Sequence, residues 1–361
     1  MDGDFSGPHS SPMETFETLV RTEFAPKNTY LNTASTGLLP ARTVEAMRTA
    51  LDAAAAGQPT DMSADVEAAR ASFARLIGVP VRRVAAGASV AVYTGLIAAS
   101  LPEGAEVITA EGDFSSVVNP FHMRRDLRVR TVPLERIAES VRPGTALVAV
   151  SAAQSADGRI ADLTALSESA RAHGARTYVD ASQSAGWLEF DAGAYDYVAS
   201  VAFKWLLSPR GVAFLVVPDD LGSLTPFFAG WVAGEEPWDS CYGPVAELAR
   251  SARRFDESPA LFSYAGARHS LELLEELGVA RVRDHDLALA DRFRTGLRTL
   301  GHEPVRAPGS PIVSVPGLGH RQDELSRAGV EVSDRAGNLR VAFHLYNTPA
   351  DVDRVLDVLS D

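Results

Sequence analysis

The chain has 361 residues, 46% of them hydrophobic and 22% charged, with a formal net charge of -13 at pH 7. This length predicts two or three domains and a large core, and the acidic balance argues against nucleic acid or an anionic membrane as a partner. The single cysteine, Cys241, excludes an internal disulfide and a multi-cysteine metal site, and it is compatible with the cytoplasm, where we expect the protein to act. No apolar run is long enough to span a membrane.

The N-terminal part of the chain combines a polar leader, helices and a loop. Residues 1–12 are rich in Gly, Pro and Ser without a signal-peptide core, so we expect a disordered leader. A short amphipathic helix is predicted at METFETLVRTEF, and two longer helical patterns follow the turn-rich segment 30–40. The polar side chains of this segment, Asn32 among them, either form turns or line a site that the loop crosses.

A strand, a turn of small residues and a helix are predicted between Val84 and Ser100. The free amide groups and the positive dipole end of a helix bind phosphate, which makes the turn with Ser89 and Val90 a candidate phosphate cup. An ordinary helix N-cap explains Ser89 equally well. The pattern alone therefore predicts only a helix start.

Two further strands are predicted to run out into loops. The first, EVITAEGDFSSVVNPF, places Phe114 among polar residues, where the ring either stacks on a ligand or packs under its own loop. The second, LVAVSAAQSADGRI, ends in a polar turn that contains Gln154 and Ser155, before a predicted helix. These residues alone assign neither loop a function.

The stretch 176–217 contains three short apolar runs that predict buried parallel strands. Asp180 ends the first run and Lys204 stands just past the second, so both side chains would face one crevice at the carboxyl edge of the sheet. A structural ion pair is the ordinary explanation. The chemical alternative is pyridoxal phosphate, which needs a lysine for its Schiff base and a carboxylate to keep the ring nitrogen protonated. Gln183, one turn beyond Asp180, is placed to donate to the ring oxygen.

The order D-x-x-Q, hydrophobic strand and K-W-L-x-S-P-x-G resembles the class V aminotransferase family, which includes cysteine desulfurases, kynureninases, epimerase-like enzymes and carbon–sulfur lyases. Matching pieces occur in order along nearly the whole chain. The resemblance implies fold type I, an α/β architecture with a mainly parallel sheet in a large domain and a small α+β C-terminal domain. The divisions we predict are 1–25 for leader and helix, 26–240 for the large domain and 241–361 for the small domain, on which the N-terminal segment can pack.

The resemblance also implies a role for individual residues. Lys204 and Asp180 would be catalytic, the first carrying the cofactor and the second stabilising its ring nitrogen. The further cofactor contacts would be Ser89, Val90, Phe114, Gln183, Ser200 and Ser258. The implied substrate contacts are Asn32, Gln154 and Arg340. Arginine suits a carboxylate because its planar fork binds both oxygens. Ser258 would reach the phosphate of a second subunit, so a homodimer with sites at its interface is expected.

Three positions depart from the family pattern. Phe203 stands where many relatives have a histidine before the lysine, and Gln154 or Ser155 stands near an asparagine of the relatives. A cysteine desulfurase needs a reactive cysteine shortly before its substrate arginine, and residues 242–361 contain none. We therefore do not expect a cysteine desulfurase, and the lone Cys241 is more simply an inert residue.

The loop TPFFAGWVAGEEPWDSCYGP, with Trp231 and Trp238, is typical of a lid or a subunit contact and suggests a roomy pocket. The function we predict is a lyase of secondary metabolism that cleaves the side chain of a substituted amino acid by carbon–sulfur elimination. An aminotransferase or epimerase is the alternative. A non-catalytic scaffold is a further alternative, but such a protein would have no chemical need for Lys204 and Asp180.

Overall fold

The computed structural model describes residues 12–58 and 61–360. Its α-helices are α1 Pro12–Glu23, α2 Ala41–Ala55, α3 Met62–Leu76, α4 Val90–Ser100, α5 Ser115–Met123, α6 Leu163–His173, α7 Leu261–Leu277, α8 Val279–Thr299, α9 Gln322–Arg327 and α10 Pro349–Ser360. Its strands are β1 Thr29–Tyr30, β2 Val84–Gly87, β3 Glu106–Ala110, β4 Arg128–Val132, β5 Thr145–Ser151, β6 Arg176–Asp180, β7 Tyr197–Val201, β8 Ala213–Val216, β9 Ile312–Val315, β10 Val330–Glu331, β11 Ser333–Arg335 and β12 Asn338–Ala342. The predicted leader lies outside the described residues except for Pro12, which begins α1.

The large domain is built on a seven-stranded sheet with the strand order β2-β8-β7-β6-β5-β3-β4. Strands β3 to β7 run parallel, as the buried apolar runs predict. The prediction is wrong for β8, which pairs antiparallel with β7 and with β2. The reason is the short connection between β7 and β8, because a parallel return needs a crossover of a dozen or more residues, usually a helix.

Helices cover both faces of this sheet. On one face, Phe73 of α3, Leu166 of α6 and Leu271 of α7 lie in one core with the strands. On the other face, α4 and α5 contribute Leu96 and Phe121 to a second core. Two covered faces explain why the strands read as continuous apolar runs and confirm the predicted α/β class.

The small domain contains an antiparallel sheet of three strands, β11-β12-β9, packed against α8 and α10. The N-terminal strand β1 pairs with β10 of this domain, and Leu31 lies in its core. Helix α7 instead packs along α2 and α3 of the large domain, although it lies after the predicted boundary at residue 240. The boundary remains a prediction. The separate small-domain core consists of Leu31 and of residues from Leu289 onward.

The two parts meet at the carboxyl ends of β5, β6 and β7. Ser151, Asp180 and Val201 are the last residues of these strands, and the first turn of α4 lies beside them. No helix in the described ranges is long and apolar enough to cross a membrane. The strand ends and the small domain therefore enclose the crevice in which ligands of open α/β sheets bind.

A buried ion pair connects α3 to the strand before α4. Arg70 donates to both carboxylate oxygens of Asp256, at 3.1 and 2.6 Å, and to the carbonyl of Val84 at 2.9 Å. Asp256 also accepts from the backbone of Ala86 at 2.8 Å. Both side chains are almost fully buried, so neither charge has water as an alternative partner.

We expect Asp256→Asn to lower the free energy of unfolding by about 3 kcal/mol, because the buried charge of Arg70 loses its buried carboxylate and keeps only that of the exposed Glu67. Urea unfolding measures this loss. Asp219→Asn is the matched control, since the ion pair of Asp219 with Arg82 is exposed on both sides and should be worth less than about 1 kcal/mol. Equal small losses in the two variants would show that the buried pair does not hold this region together.

Candidate active site

Lys204 and Asp180 form the floor of the crevice. Lys204 is 7% exposed and Asp180 is 4% exposed. The backbone amide of Ser182 donates to Asp180 at 2.9 Å. In the part of the chain that the structure describes, the Nζ atom of Lys204 forms no hydrogen bond and no ion pair with Asp180. A structural ion pair therefore does not explain why these two residues lie in the crevice.

Burial changes the proton affinity of both groups. It lowers the pKa of Lys204 to about 8, with Asp180 opposing the change and Arg340, Arg210 and Arg335 adding to it. Burial also raises the pKa of Asp180, against the hydrogen bonds from Ser182 and the charge of Lys204. A lysine with this pKa is partly neutral near pH 7 and can act as a nucleophile or a base.

Two aromatic rings flank the lysine. The Nζ atom of Lys204 lies 5.0 Å from the ring centre of Phe114 and 5.8 Å from that of Phe203. Phe114 precedes the first residue of α5, a short helix in a segment for which the sequence predicted a loop. Asp113 fixes this point, because its carboxylate accepts from the backbone of Phe114 and from both the backbone and the hydroxyl of Ser151.

The N-terminus of α4 opens on the same cavity. Ser89 caps the helix by accepting from the backbone of Val92, and Ser89, Val90 and Ala91 line the cavity. The first amides of a helix lack carbonyl partners within it and carry the positive end of its dipole. The backbone amide of Ala88 is already bound by the carboxylate of Glu257 at 2.6 Å. The backbone amides that remain available to an anion are therefore those of the first turn of α4, and not those of the whole small-residue turn.

Arg340 of β12 supplies a buried positive charge at the opposite wall. It is 1% exposed, and it donates to the carbonyl and hydroxyl oxygens of Ser155 at 2.5 and 3.1 Å and to the hydroxyl of Ser35 at 2.7 Å. Burial, together with the neighbouring charge of Arg335, lowers the pKa of Arg340 to about 9. Among the described residues no carboxylate pairs with it. Such a charge is suited to an anionic ligand.

The cavity has a volume of about 420 Å³. It brings together six of the predicted site residues: Ser89, Val90, Phe114, Asp180, Lys204 and Arg340. Ala34, Ser35, Ser155, Ser182, Arg210 and Arg335 also line it. Within the described chain, no group of three or more His, Cys, Asp or Glu side chains could hold a metal ion.

Two predicted cofactor contacts lie behind the cavity wall. The side-chain amide of Gln183 donates to the carbonyl of Ala34 and the hydroxyl of Ser155, both at 2.9 Å, and accepts from the indole of Trp205. Ser200 is fully buried and donates to the carbonyl of Val201. Side chains alternate along a strand, so Val201 faces the cavity and Ser200 faces away from it.

Three other predicted contacts do not line the cavity either. Gln154 is 2% exposed and donates to the carbonyl of Ser151, so that the next residue, Ser155, faces the cavity instead. Asn32 bridges to Ala342, and its buried side-chain oxygen has no partner in the described residues. Ser258 is exposed in the single chain. Its predicted contact with a second subunit remains a prediction.

Four residues that form or support the cavity were not predicted from the sequence: Ser35, Asp113, Arg210 and Arg335. Ser35 stands in the loop that was expected to cross the site, but serine in a turn-rich segment carries no distinguishing signal. Arg335 stands five residues before Arg340, and only the pairing of β11 with β12 shows that both belong to one hairpin.

The hydroxyl of Ser155 accepts from both Gln183 and Arg340, which leaves its own hydrogen free to donate into the cavity.

Comparisons with known proteins agree with this geometry. A sequence model of the family described as Aminotransferase class-V matches residues 29–355. The chain is 30% identical over 312 residues to the uncharacterised aminotransferase YcbU of Bacillus subtilis, covering 81% of this chain and 83% of the relative. It is 31% identical over 379 residues to isopenicillin N epimerase of Streptomyces clavuligerus, covering 91% and 93%.

Solved structures share the fold. The cystine C-S lyase C-DES in complex with cysteine persulfide has a TM-score of 0.84 at 22% identity, with 93% of this chain and 98% of that chain covered. The cysteine desulfurase CsdA of Escherichia coli has a TM-score of 0.83 at 20% identity, with 98% of each chain covered. The predicted α/β fold with a mainly parallel central sheet is confirmed.

We expect Lys204→Met to stabilise the ligand-free protein at pH 7, because it removes a buried cation without a contacting anion. The folded-state pKa of about 8 lies below the ordinary 10.5, so the unfolded chain binds this proton more tightly. The penalty on the folded state is full below pH 8 and is lost as the pH rises toward 10.5. Urea unfolding should therefore show a larger advantage of the variant at pH 7 than at pH 10.

Lys27→Met provides the control for this titration, since Lys27 is exposed and is the only other lysine of the chain. It should change stability little at either pH. A Lys204→Met advantage that is independent of pH would contradict the lowered pKa.

Proposed function

Because the chain belongs to the aminotransferase class-V family of pyridoxal phosphate enzymes, we propose that Lys204 holds the cofactor and that the surrounding cavity is the active site of a lyase. Family membership rests on the match over residues 29–355 and on relatives at 30% and 31% identity that cover most of the chain. The enzyme is of fold type I and depends on pyridoxal phosphate.

The residues of the cavity fit this cofactor. An amine that is 7% exposed, has a lowered pKa and lacks a contacting partner is suited to hold an aldehyde. The first turn of α4 would hold the phosphate, Phe114 would cover one ring face, and Asp180 would keep a proton on the ring nitrogen. The hydroxyl of Ser155 has a free hydrogen for the ring oxygen, with Gln183 supporting it from behind.

The chain's own residues would then bind and deprotonate an amino acid. Arg340 receives the α-carboxylate, because it is buried, charged and already oriented by Ser35 and Ser155. Lys204 takes the proton from Cα, since its pKa of about 8 matches proton transfer near neutral pH. Bound pyridoxal phosphate supplies an electron-withdrawing ring that stabilises negative charge at this carbon.

The observation that carries the lyase proposal is the charge of the cavity wall. Arg210, Arg335 and Arg340 line it, and none of them pairs with a carboxylate in the part of the chain described. Cations held in the cavity wall would stabilise an anion that departs from Cβ, and Arg210 remains available for this role when Arg340 receives the α-carboxylate. A substituted amino acid of secondary metabolism, such as a cysteine conjugate that loses a thiolate, is the substrate class we propose.

Trp231 and Trp238 give no support to the lyase proposal. Their rings lie 5.1 Å apart, and neither lines the cavity of the single chain. The roomy pocket expected from this segment is therefore not formed by one subunit. The charges of the wall, rather than the aromatic segment, favour the elimination.

Transamination and epimerisation are the alternatives, and the names of the relatives at 30% and 31% identity favour them. Epimerisation with two bases needs a proton-transfer group on each face of the substrate carbon. Of the described residues that line the cavity, Lys204 is the one left to move a proton, since Asp180 is assigned to the ring nitrogen and Arg340 to the α-carboxylate. A lyase and an aminotransferase both need one base.

Carriage of sulfur on the protein does not fit the chain. Cys241 is exposed in a turn before the small domain, and residues 242–361 contain no cysteine. A sulfur-containing leaving group would depart directly into the cavity. The proposal therefore excludes cysteine desulfurase activity.

We also propose a cytoplasmic homodimer with sites at the subunit interface. Phe227, Phe228, Trp238 and Tyr242 expose half or more of their surface, which is unusual for aromatic residues of an isolated protein. Ser258 is exposed next to Glu257, which contacts the turn before α4. A second copy covering this region would place Ser258 within reach of a phosphate.

The test of the lyase is turnover without an amino-group acceptor. We expect the holoenzyme to release many equivalents of pyruvate and ammonia from an S-substituted cysteine in the absence of a keto acid, as measured by coupled reduction of pyruvate. An aminotransferase would release no pyruvate and would form only about one equivalent of the keto acid that still carries the sulfur substituent, because no acceptor removes the amino group.

Lys204→Ala serves as the control and should abolish turnover. S-substituted cysteines with different leaving groups cover the proposed substrate class. About one equivalent of the sulfur-substituted keto acid without pyruvate would favour the aminotransferase, and loss of chirality without pyruvate would favour the epimerase. Either result would refute the lyase.

A further inference from the structure

We propose that the substrate carries a second anionic group, a carboxylate or equivalent oxyanion on its side chain, and that Arg335 binds it beside the α-carboxylate on Arg340. The inference rests on the proposed function, since it places an amino acid in this cavity, but it concerns recognition and not the reaction. Its structural basis is a pair of guanidinium groups, those of Arg335 and Arg340, that donate to the same hydroxyl oxygen of Ser35.

Ser35 accepts hydrogen bonds from both arginines. The Nη2 atom of Arg335 lies 2.8 Å from its hydroxyl oxygen and the Nη2 atom of Arg340 lies 2.7 Å from the same oxygen. These two nitrogen atoms are therefore within about 6 Å of each other, as both bonds end on one oxygen. The like charges repel at this distance, and the charge of Arg335 contributes to the lowered pKa of Arg340.

Neither arginine has an anion to relieve this repulsion. The other hydrogen bonds of Arg335 and Arg340 go to the carbonyl of Asp334 and to Ser155, and no carboxylate in the described ranges pairs with either. Arg210 adds to the charge, since it donates to the hydroxyl of Thr36 and lies 4.1 Å from the ring centre of Phe203. The loop next to Ser35 thus orients three cations toward one cavity.

Arg340 and Arg335 differ in burial, and we therefore assign them to different parts of the substrate. Arg340 is fully buried near Lys204, where the α-carboxylate must lie if the amine of the lysine is to reach Cα. Arg335 lines the cavity but is exposed to solvent, which places it where a side chain extends outward. Both come from the β11–β12 hairpin, whereas the phosphate position at α4 belongs to the large domain. The phosphate therefore does not account for Arg335.

A substrate with two acids would satisfy both arginines. A substituted cysteine whose substituent ends in a carboxylate has this chemistry, as does an amino dicarboxylic acid. An amino acid with a neutral side chain leaves Arg335 without an anion. Discrimination should be moderate, because water screens the exposed guanidinium group.

The test uses ligands that cannot react. Succinate and glutarate are titrated into the holoenzyme, each in parallel with its monoamide, and dissociation constants are measured by calorimetry. Amide and carboxylate have nearly the same shape, so the ratio of the two constants isolates the second charge. We expect each diacid to bind about tenfold more tightly than its monoamide.

Arg335→Gln should reduce this ratio to near one while leaving the monoamide affinity unchanged, and Arg335→Lys should restore part of it. Arg340→Gln should weaken the binding of both the diacid and its monoamide. Arg306→Gln, at an exposed arginine of the chain that does not line the cavity, is the matched control and should keep the wild-type ratio.

Three results would overturn the inference. They are equal affinity of diacid and monoamide in the wild type, equal weakening of both by Arg335→Gln, and no binding of any diacid at millimolar concentration. These ligands have no amine and no leaving group, so the outcome does not depend on the lyase. A diacid preference without pyruvate release would leave the second anion site standing and reject only the elimination.

Discussion

Two buried cations without a carboxylate partner, Lys204 and Arg340, set the requirements that the rest of the structure meets. Leaving a buried charge unpaired costs several kcal/mol. The fold offsets part of this cost for Arg340 with the oxygens of Ser35 and Ser155. For Lys204 it offers the more distant charge of Asp180 and the ring faces of Phe114 and Phe203. The cofactor and the substrate carboxylate that we propose would supply the missing partners, and unpaired buried charges of this kind are typical of functional sites.

The backbone around the lysine is fixed from both sides. Gly37 donates to the carbonyl of Phe203, and a Cβ atom at this position would lie 2.1 Å from the carbonyl oxygen of Lys204, so only glycine allows the N-terminal loop to pack there. From the small domain, His344 lies between the carboxylate of Asp286 and the carbonyl of Trp205, at 2.9 and 3.0 Å. These hydrogen bonds connect the small domain directly to the residue that follows Lys204.

Much of this arrangement is visible in the sequence, because the fold depends on regular patterns. The apolar runs predicted β6 and β7, and the small-residue turn before VAVYTGLIAAS predicted the start of α4 at Val90. The direction of β8 was not predictable from composition, since it depends on the short return after Lys204. The sequence also predicted three residues that the structure brings into one cavity: Asp180 and Lys204 from their places at strand ends, and Arg340 from its motif. Ser35 and Arg335 come from a loop and a hairpin whose relation exists only in three dimensions.

The central claim is that Lys204 carries the cofactor, and reduction of the holoenzyme with borohydride followed by peptide mapping tests it most directly. The chain contains two lysines, so the experiment has a simple readout. Stable attachment of the cofactor to the peptide with Lys204, and none to the peptide with Lys27, is the result we predict. Attachment to the exposed Lys27, or full labelling of a Lys204→Ala variant, would contradict the account.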